Sequence, residues 1–223
     1  TIQRNAERIL QLVNQLMDIR KIDKGQMSLM FKKAEIVSFT RDLLETFEQQ
    51  TRVKKLDLKF HTSAPEIEMW IDPKNFDKII LNLLSNACKF TPENGQVEIS
   101  LSTGEDTHLP QNAPLRRYVE LTVADSGIGI ASTEREHIFE RFYQIRNSQN
   151  NSNIGTGIGL HLTRSLVELH YGNIHVEDNG EGRPGSRFII RLPLGNGHLK
   201  KEEIEEATTA DTLINIPAAE PAT

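Results

Sequence analysis

The sequence predicts an α+β chain: an α/β sandwich on a largely antiparallel or mixed sheet, with one amphipathic helix ahead of it. Three observations carry that expectation. Apolar residues recur with helical spacing over residues 37–52 and 73–90. Polarity alternates strand-fashion over 97–102 and 117–124. Two final strands, 173–178 and 186–192, flank Asn179-Gly180-Glu181-Gly182, a turn that suits antiparallel neighbours.

Residues 1–23 place Ile2, Ile9 and Leu16 at one heptad position, Leu12 and Ile19 at a second, and Ala6 and Val13 beside them. This wide apolar stripe makes a helix that packs either on the following domain or in a dimer or bundle. After Gly25 come a strand-like stretch at 28–36, the helix at 37–52, and strands at 56–61 and 68–71. Asp72-Pro73 reads as an N-cap followed by a first-turn proline. The helix it opens runs to Phe90 and stops before Thr91-Pro92. A polar loop with two prolines, 103–115, separates the next strands. Glycine-containing segments flank a Ser/Asn/Gln-rich stretch at 146–153, and a helix follows at 159–170. From Gly195 the chain turns charged, then Ala/Thr/Pro-rich, and has the composition of a linker or disordered tail.

With 26 Lys plus Arg against 31 Asp plus Glu, the net charge of −5 lacks the basic footprint of a nucleic-acid binder. Cys88 is alone, so no disulfide forms within the chain, and no Cys/His cluster has zinc spacing. A cytoplasmic setting fits best. No apolar run approaches the ~18 residues of a membrane span. The chain begins at Thr1, so a membrane segment of a longer parent is expected upstream.

Asn82, Asn86 and Lys89 recur at i, i+4 and i+7 and share one face of the 73–90 helix. That face is either solvated or suited to a magnesium-bound polyphosphate, with amide oxygens for the cation and an ammonium for phosphate. Parity puts Asp125 on the inward side with Val119, Leu121 and Val123. It is either satisfied by loop amides or accepts from a donor such as an exocyclic adenine amine, with Gly127 and Gly129 letting backbone approach a flat ligand. Gly155-Thr156-Gly157-Ile158-Gly159-Leu160 precedes a helix, where free N–H groups favour an anion. It is neither a dinucleotide fingerprint nor a P-loop.

In this order, Asn82-Leu83-Leu84-Ser85-Asn86-Ala87-Cys88-Lys89-Phe90-Thr91, Asp125-Ser126-Gly127-Ile128-Gly129-Ile130, Phe139-Glu140-Arg141-Phe142-Tyr143 and Gly155–Leu160 resemble the N, G1, F and G2 boxes of sensor histidine kinases. The likeness spans about residues 30–194. Residues 16–25 resemble the end of that family's dimerisation helix hairpin. The resemblance implies a Bergerat-type (GHKL) ATP-binding sandwich with three helices on one face of a mixed sheet. It divides the chain into hairpin end (1–27), catalytic domain (28–195) and tail (196–223).

Position by position, the resemblance makes Asn86, with Asn82 beside it, the magnesium residue and Lys89 a phosphate contact. Phe90 lies against adenine, Asp125 binds its amine, and Gly127 and Gly129 shape the pocket. Gly155, Thr156, Gly157, Gly159 and Leu160 serve the phosphates, with residues 144–155 as a lid that Phe139, Arg141 and Phe142 anchor; Phe142 counts among the ATP-binding residues. Hydrolytic relatives carry a Glu where this chain has Asn82, and an amide is a poor base, so transfer is expected over rapid hydrolysis. The implied partners are ATP or ADP with Mg2+, the dimerisation hairpin within a homodimer, and a response-regulator receiver domain. None of the 7 histidines has the His-Glu/Asp-apolar-Lys/Arg-x-Pro setting of the phosphoacceptor. The acceptor is expected upstream, in what is then the cytoplasmic part of a membrane-anchored sensor, and the tail after the core points to a hybrid kinase. The rival readings are a serine kinase of the same fold acting on a transcription factor, and a nucleotide-binding regulatory module without transferase activity.

Overall fold

The computed structural model describes residues 2–145, 156–180 and 182–205. The chain order is α1 (Ile2–Asp23), β1 (Lys32–Glu35), α2 (Ile36–Val53), β2 (Asp57–Thr62), β3 (Glu68–Ile71), α3 (Pro73–Phe90), β4 (Gln96–Glu105), β5 (Arg117–Asp125), α4 (Gly159–Leu169), β6 (Asn173–Asp178) and β7 (Ser186–Pro193). Five strands form a sheet in the order β2-β4-β5-β7-β6, and β1 pairs with β3 in a separate two-stranded ribbon. The β2–β4 pair is parallel and the other pairs of the large sheet are antiparallel, so the sheet is mixed. Helices α2, α3 and α4 cover one face, with α3 in the middle.

Strand alternation places the core. Val97, Ile99 and Leu101 of β4 and Val119, Leu121 and Val123 of β5 are buried, while Ser100, Ser102 and Thr122 alternate with them at greater exposure. Against this face α3 lays Phe76, Ile79, Ile80, Leu83 and Leu84, all nearly inaccessible. The expected N-cap is present: Asp72 Oδ1 accepts from the Asn75 N–H at 3.0 Å, and Oδ2 accepts from the Met30 N–H at 3.0 Å. Glu35 plays the same part for α2, accepting from Val37, Ser38 and Ile67. Burial opposes its ionisation, yet the N–H groups of Ile67, Ser38 and Val37 outweigh that and hold the carboxyl at about 2.

The strand expected at 28–36 is shorter, Lys32–Glu35: Leu29 and Phe31 alternate into the core with Met30 exposed between them, but only Lys32–Glu35 find a ladder partner in β3. Phe31 also bridges in parallel to Ile204, with the Phe31 N–H on Glu203 O at 2.6 Å and the Glu205 N–H on Phe31 O at 2.8 Å. Residues 196–205, whose composition reads as linker, therefore pack back on the domain, and Tyr171 donates to the Glu203 carboxylate at 2.8 Å. Residues 206–223 lie outside the described residues. Helix α1 divides its stripe: Ile19 is buried against the domain and Ile22 packs beside it, while Ile9, Leu10, Val13, Leu16 and Met17 stay exposed. An Asp18–Lys78 ion pair at 2.6 Å ties α1 to α3.

His170 joins the ends of two helices. Its Nδ1–H donates to Leu166 O at 2.7 Å, and Nε2 accepts from the Asp72 N–H at 3.2 Å, so the partners require the neutral ring. Burial holds its pKa below the ordinary histidine value of 6.5. A histidine depressed in the fold gives stability that is complete above its unfolded pKa and is lost as pH falls below it. Thermal melts from pH 7 to 5 should therefore show the melting temperature dropping below pH 6.5, and His170→Gln should flatten that slope.

Candidate functional site

A cleft of about 990 Å³ lies between α3, the loop after β5 and the start of α4. Asn82, Asn86 and Lys89 line it from one side of α3, with Phe90 at the helix end. Phe90 is 40% exposed, and the Lys89 ammonium stands 4.7 Å from its ring centre. The Asn82 carboxamide is a brace between helices. Its Nδ2 donates to Thr163 Oγ1 of α4 at 2.7 Å, and a side chain on Gly159 would place Cβ 2.4 Å from Asn82 Oδ1. Only glycine leaves room for that contact, so the sequence of α4 begins with one for a reason of packing.

Asp125 ends β5 at 6% exposure. Its Oδ1 accepts from the Gly127 N–H at 2.8 Å and Oδ2 from Ser186 Oγ at 2.7 Å. Burial pushes the carboxyl above the usual aspartate range, and the bonds from Ser186 and Gly127 oppose that rise. The strand end is fixed from the opposite hairpin: Asn179 Nδ2 donates to Asp125 O at 2.6 Å and to Pro184 O at 2.8 Å. Ile130, Ile138 and Phe188 supply apolar wall, and Gly129 lines the cleft beside them.

Thr156, Gly157, Gly159 and Leu160 complete the cleft at the start of α4. Ile158 at the N-cap makes no side-chain cap, which leaves first-turn amides and the helix dipole for an anion. Of the stretch read as a lid, 144–155, Gln144 and Ile145 line the cleft, and residues 146–155, Gly155 included, lie outside the described residues. The structure places Phe142 outside the lining of the cleft. Its backbone is left-handed at φ 60 and donates its N–H to Gly157 O at 2.9 Å, and its ring is turned outward, 65% exposed. Phe139 is buried and meets Phe188 edge-on, while Arg141 pairs with Asp23 of α1 and donates to His161 Nε2 at 2.9 Å.

Among the described residues the structure gathers Asn82, Asn86, Lys89, Phe90, Asp125, Gly127, Gly129, Thr156, Gly157, Gly159 and Leu160 on one cleft and adds Lys54, Ser126, Tyr143, Pro184 and Ser186. Ser186 carried no signal in the sequence, because its meeting with Asp125 depends on β5 and β7 being neighbours. Among the described residues no group of three or more His, Cys, Asp or Glu side chains is placed to hold a metal.

Residues 71–196 match the family described as histidine kinase-, DNA gyrase B-, and HSP90-like ATPase, and the chain belongs to that family. Membership implies ATP binding. The chain is 38% identical over 227 residues to sensor histidine kinase TmoS of Ectopseudomonas mendocina, covering 98% of this chain and 22% of that protein. It is 32% identical over 206 residues to histidine kinase P4 of Formosa agariphila, covering 91% of this chain and 14% of that one. The chain therefore spans only a minor part of the curated relatives it matches. Among solved structures, full-length ShkA in complex with AMPPNP superimposes with a TM-score of 0.68 at 25% identity, covering 86% of this chain and 37% of that chain.

The close approach behind Asp125 makes a sharp test. Gly185 has φ +107, and a Cβ there would stand 1.7 Å from Asp125 O; Gly182 has φ +70 with nothing within 4 Å. Gly185→Ala should cost upwards of ~2 kcal/mol and Gly182→Ala ~1 kcal/mol in denaturant melts. Equal costs would mean that the Asp125 strand end yields to the intrusion.

Proposed function

We propose that this chain is the ATP-binding catalytic part of a sensor histidine kinase, which binds Mg-ATP and holds its γ-phosphoryl group for transfer to a His on a dimerisation helix, for relay to a response-regulator Asp. The observation that carries the proposal is the convergence on one cleft of a buried carboxylate, an Asn/Asn/Lys helix face and an uncapped helix start. In this reading Asp125 accepts the adenine amine, held in position by Gly127 and Ser186. Phe90 lies against the base. Lys89 and the first-turn amides of α4 neutralise the phosphates.

The residues fit a magnesium ion of a particular kind. The α3 face offers carboxamide oxygens rather than a carboxylate cage, which suits a cation carried in largely by phosphates and water. Asn86 would hold it, with Asn82 next to it, and the ion supplies neutralisation of charge on the phosphate oxygens. Asn82 is engaged with Thr163 and has no basic group to activate water, so the cleft favours keeping ATP for a protein nucleophile. The uncovered face of α1, Ile9 to Met17, supports a homodimer in which that helix meets the remainder of its hairpin. No described helix is long and apolar enough to cross a membrane, and a cytoplasmic location is proposed from the need for ATP.

Two measurements test the reading. Asp125→Asn keeps an acceptor for Gly127 and a partner for Ser186, and removes a charge whose folded-state pKa lies above its unfolded value. Such a group costs stability when ionised, so at pH 7 the variant should melt no lower than wild type. Its nucleotide affinity should nonetheless fall about ten- to a hundredfold, the loss of a charged hydrogen bond worth ~1.5–3 kcal/mol. Unchanged affinity by calorimetry removes Asp125 from the site. With γ-labelled ATP the chain itself should stay unlabelled, and a separately made hairpin bearing the acceptor His should gain acid-labile label. Failure to label the hairpin, with ATP bound, would favour a nucleotide-binding module without transferase activity.

A further inference from the structure

Lys54 lines the cleft, yet its ammonium is fully committed elsewhere. Its Nζ donates to Thr91 O at 2.6 Å, Cys88 O at 2.7 Å and Lys89 O at 3.0 Å. An ammonium has three donors, and all are used, so no N–H remains for a phosphate. The acceptors are the carbonyls of Cys88 and Lys89 in the last turn of α3 and that of its C-cap residue, Thr91. A helix leaves its last carbonyls without partners inside the helix, and a cation there also meets the negative end of the dipole. Thr91 takes a further carbonyl of that turn, with its N–H on Ala87 O at 3.0 Å and its Oγ1–H on the same oxygen at 2.6 Å.

The lysine is itself held by the end of another helix. Residue 54 is the C-cap of α2, its N–H bonded to Gln50 O and Arg52 O, and Lys55 follows in the left-handed region at φ 55 to turn the chain into β2. Lys54 therefore ties the end of α2 to the end of α3. The rest of α3 does not need the tie, since Asp72 caps its start and Phe76 to Leu84 bury its middle. Its last turn does, and that turn carries Lys89 and Phe90 into the cleft.

We propose that Lys54 is a positioning residue for nucleotide binding: by capping the last turn of α3 it holds Lys89 and Phe90 in the arrangement that meets phosphate and base. The inference rests on the nucleotide reading of the cleft. Without the cap the turn frays, and binding has to order it, which lowers affinity while most of the fold persists.

The test uses the whole chain, titrated calorimetrically with ATP and with ADP at a temperature where each variant is folded by circular dichroism. Lys54→Met should weaken both nucleotides about tenfold. Lys54→Arg, which also presents several donors, should restore most of the affinity, and Lys54→Gln, with fewer, should fall between. Leu192→Ala, a core truncation in β7 beside Val119, should lower the melting temperature yet leave affinity within about twofold of wild type. Wild-type affinity in Lys54→Met or Lys54→Gln, or no rescue by arginine, overturns the proposal. No binding by wild type would instead overturn the nucleotide reading itself.

Discussion

The arrangement of the cleft depends on one costly placement: a carboxylate at the inner end of a core strand. Asp125 follows Val119, Leu121 and Val123 on the same face, so it is directed where those side chains are directed, toward the apolar layer. A charge there requires partners. They come from three places, the Gly127 amide, the Ser186 hydroxyl and, for the backbone of the same residue, the Asn179 carboxamide. The hairpin between β6 and β7 is thereby drawn against the end of β5, and Gly185 is the residue that allows it to come so close.

Helix α3 does two jobs that its sequence separates cleanly. One side fills the core; the other presents Asn82, Asn86 and Lys89 to the cleft. Because both sides are used, the helix has little freedom to rotate or slide, and both its ends are held by residues distant in sequence. Asp72 at the start is joined to Met30 and His170, and Lys54 closes the end. Asn82 then fixes the spacing to α4. Polar groups set by a rigid frame need less reorganisation when charge arrives.

The segments that lead into and out of the sandwich are joined to it at neighbouring points. Phe31, on the way from α1 to β1, bridges Ile204 near the end of the described chain. Asp23 at the end of α1 pairs with Arg141, which also holds His161 on α4. These contacts are mostly half-exposed, and surface ion pairs contribute little stability. Their consequence is geometric, since they relate the direction of α1 to the segment that begins at Phe139.

Much was legible in the sequence because it is local. The 3.6-residue period of 73–90, the cap at Asp72, and the alternation of 117–125 depend on neighbours within a turn or a strand, and the structure places these elements within a few residues of expectation. The motifs also single out Asn82, Asn86, Lys89, Phe90 and Asp125, which line one cleft. What the sequence could not show is pairing across the sheet and between helices. Ser186 meets Asp125 only because β7 lies beside β5, Lys54 reaches α3 only because two helix ends converge, and Phe142 stands outside the cleft with its backbone N–H bonded to Gly157 O, a partner distant in sequence. Even the linker-like stretch to Glu205 is ordered by a partner, Phe31, that lies far away along the chain. Composition and periodicity describe each segment against water; the tertiary structure alone decides which polar groups, once buried, find one another.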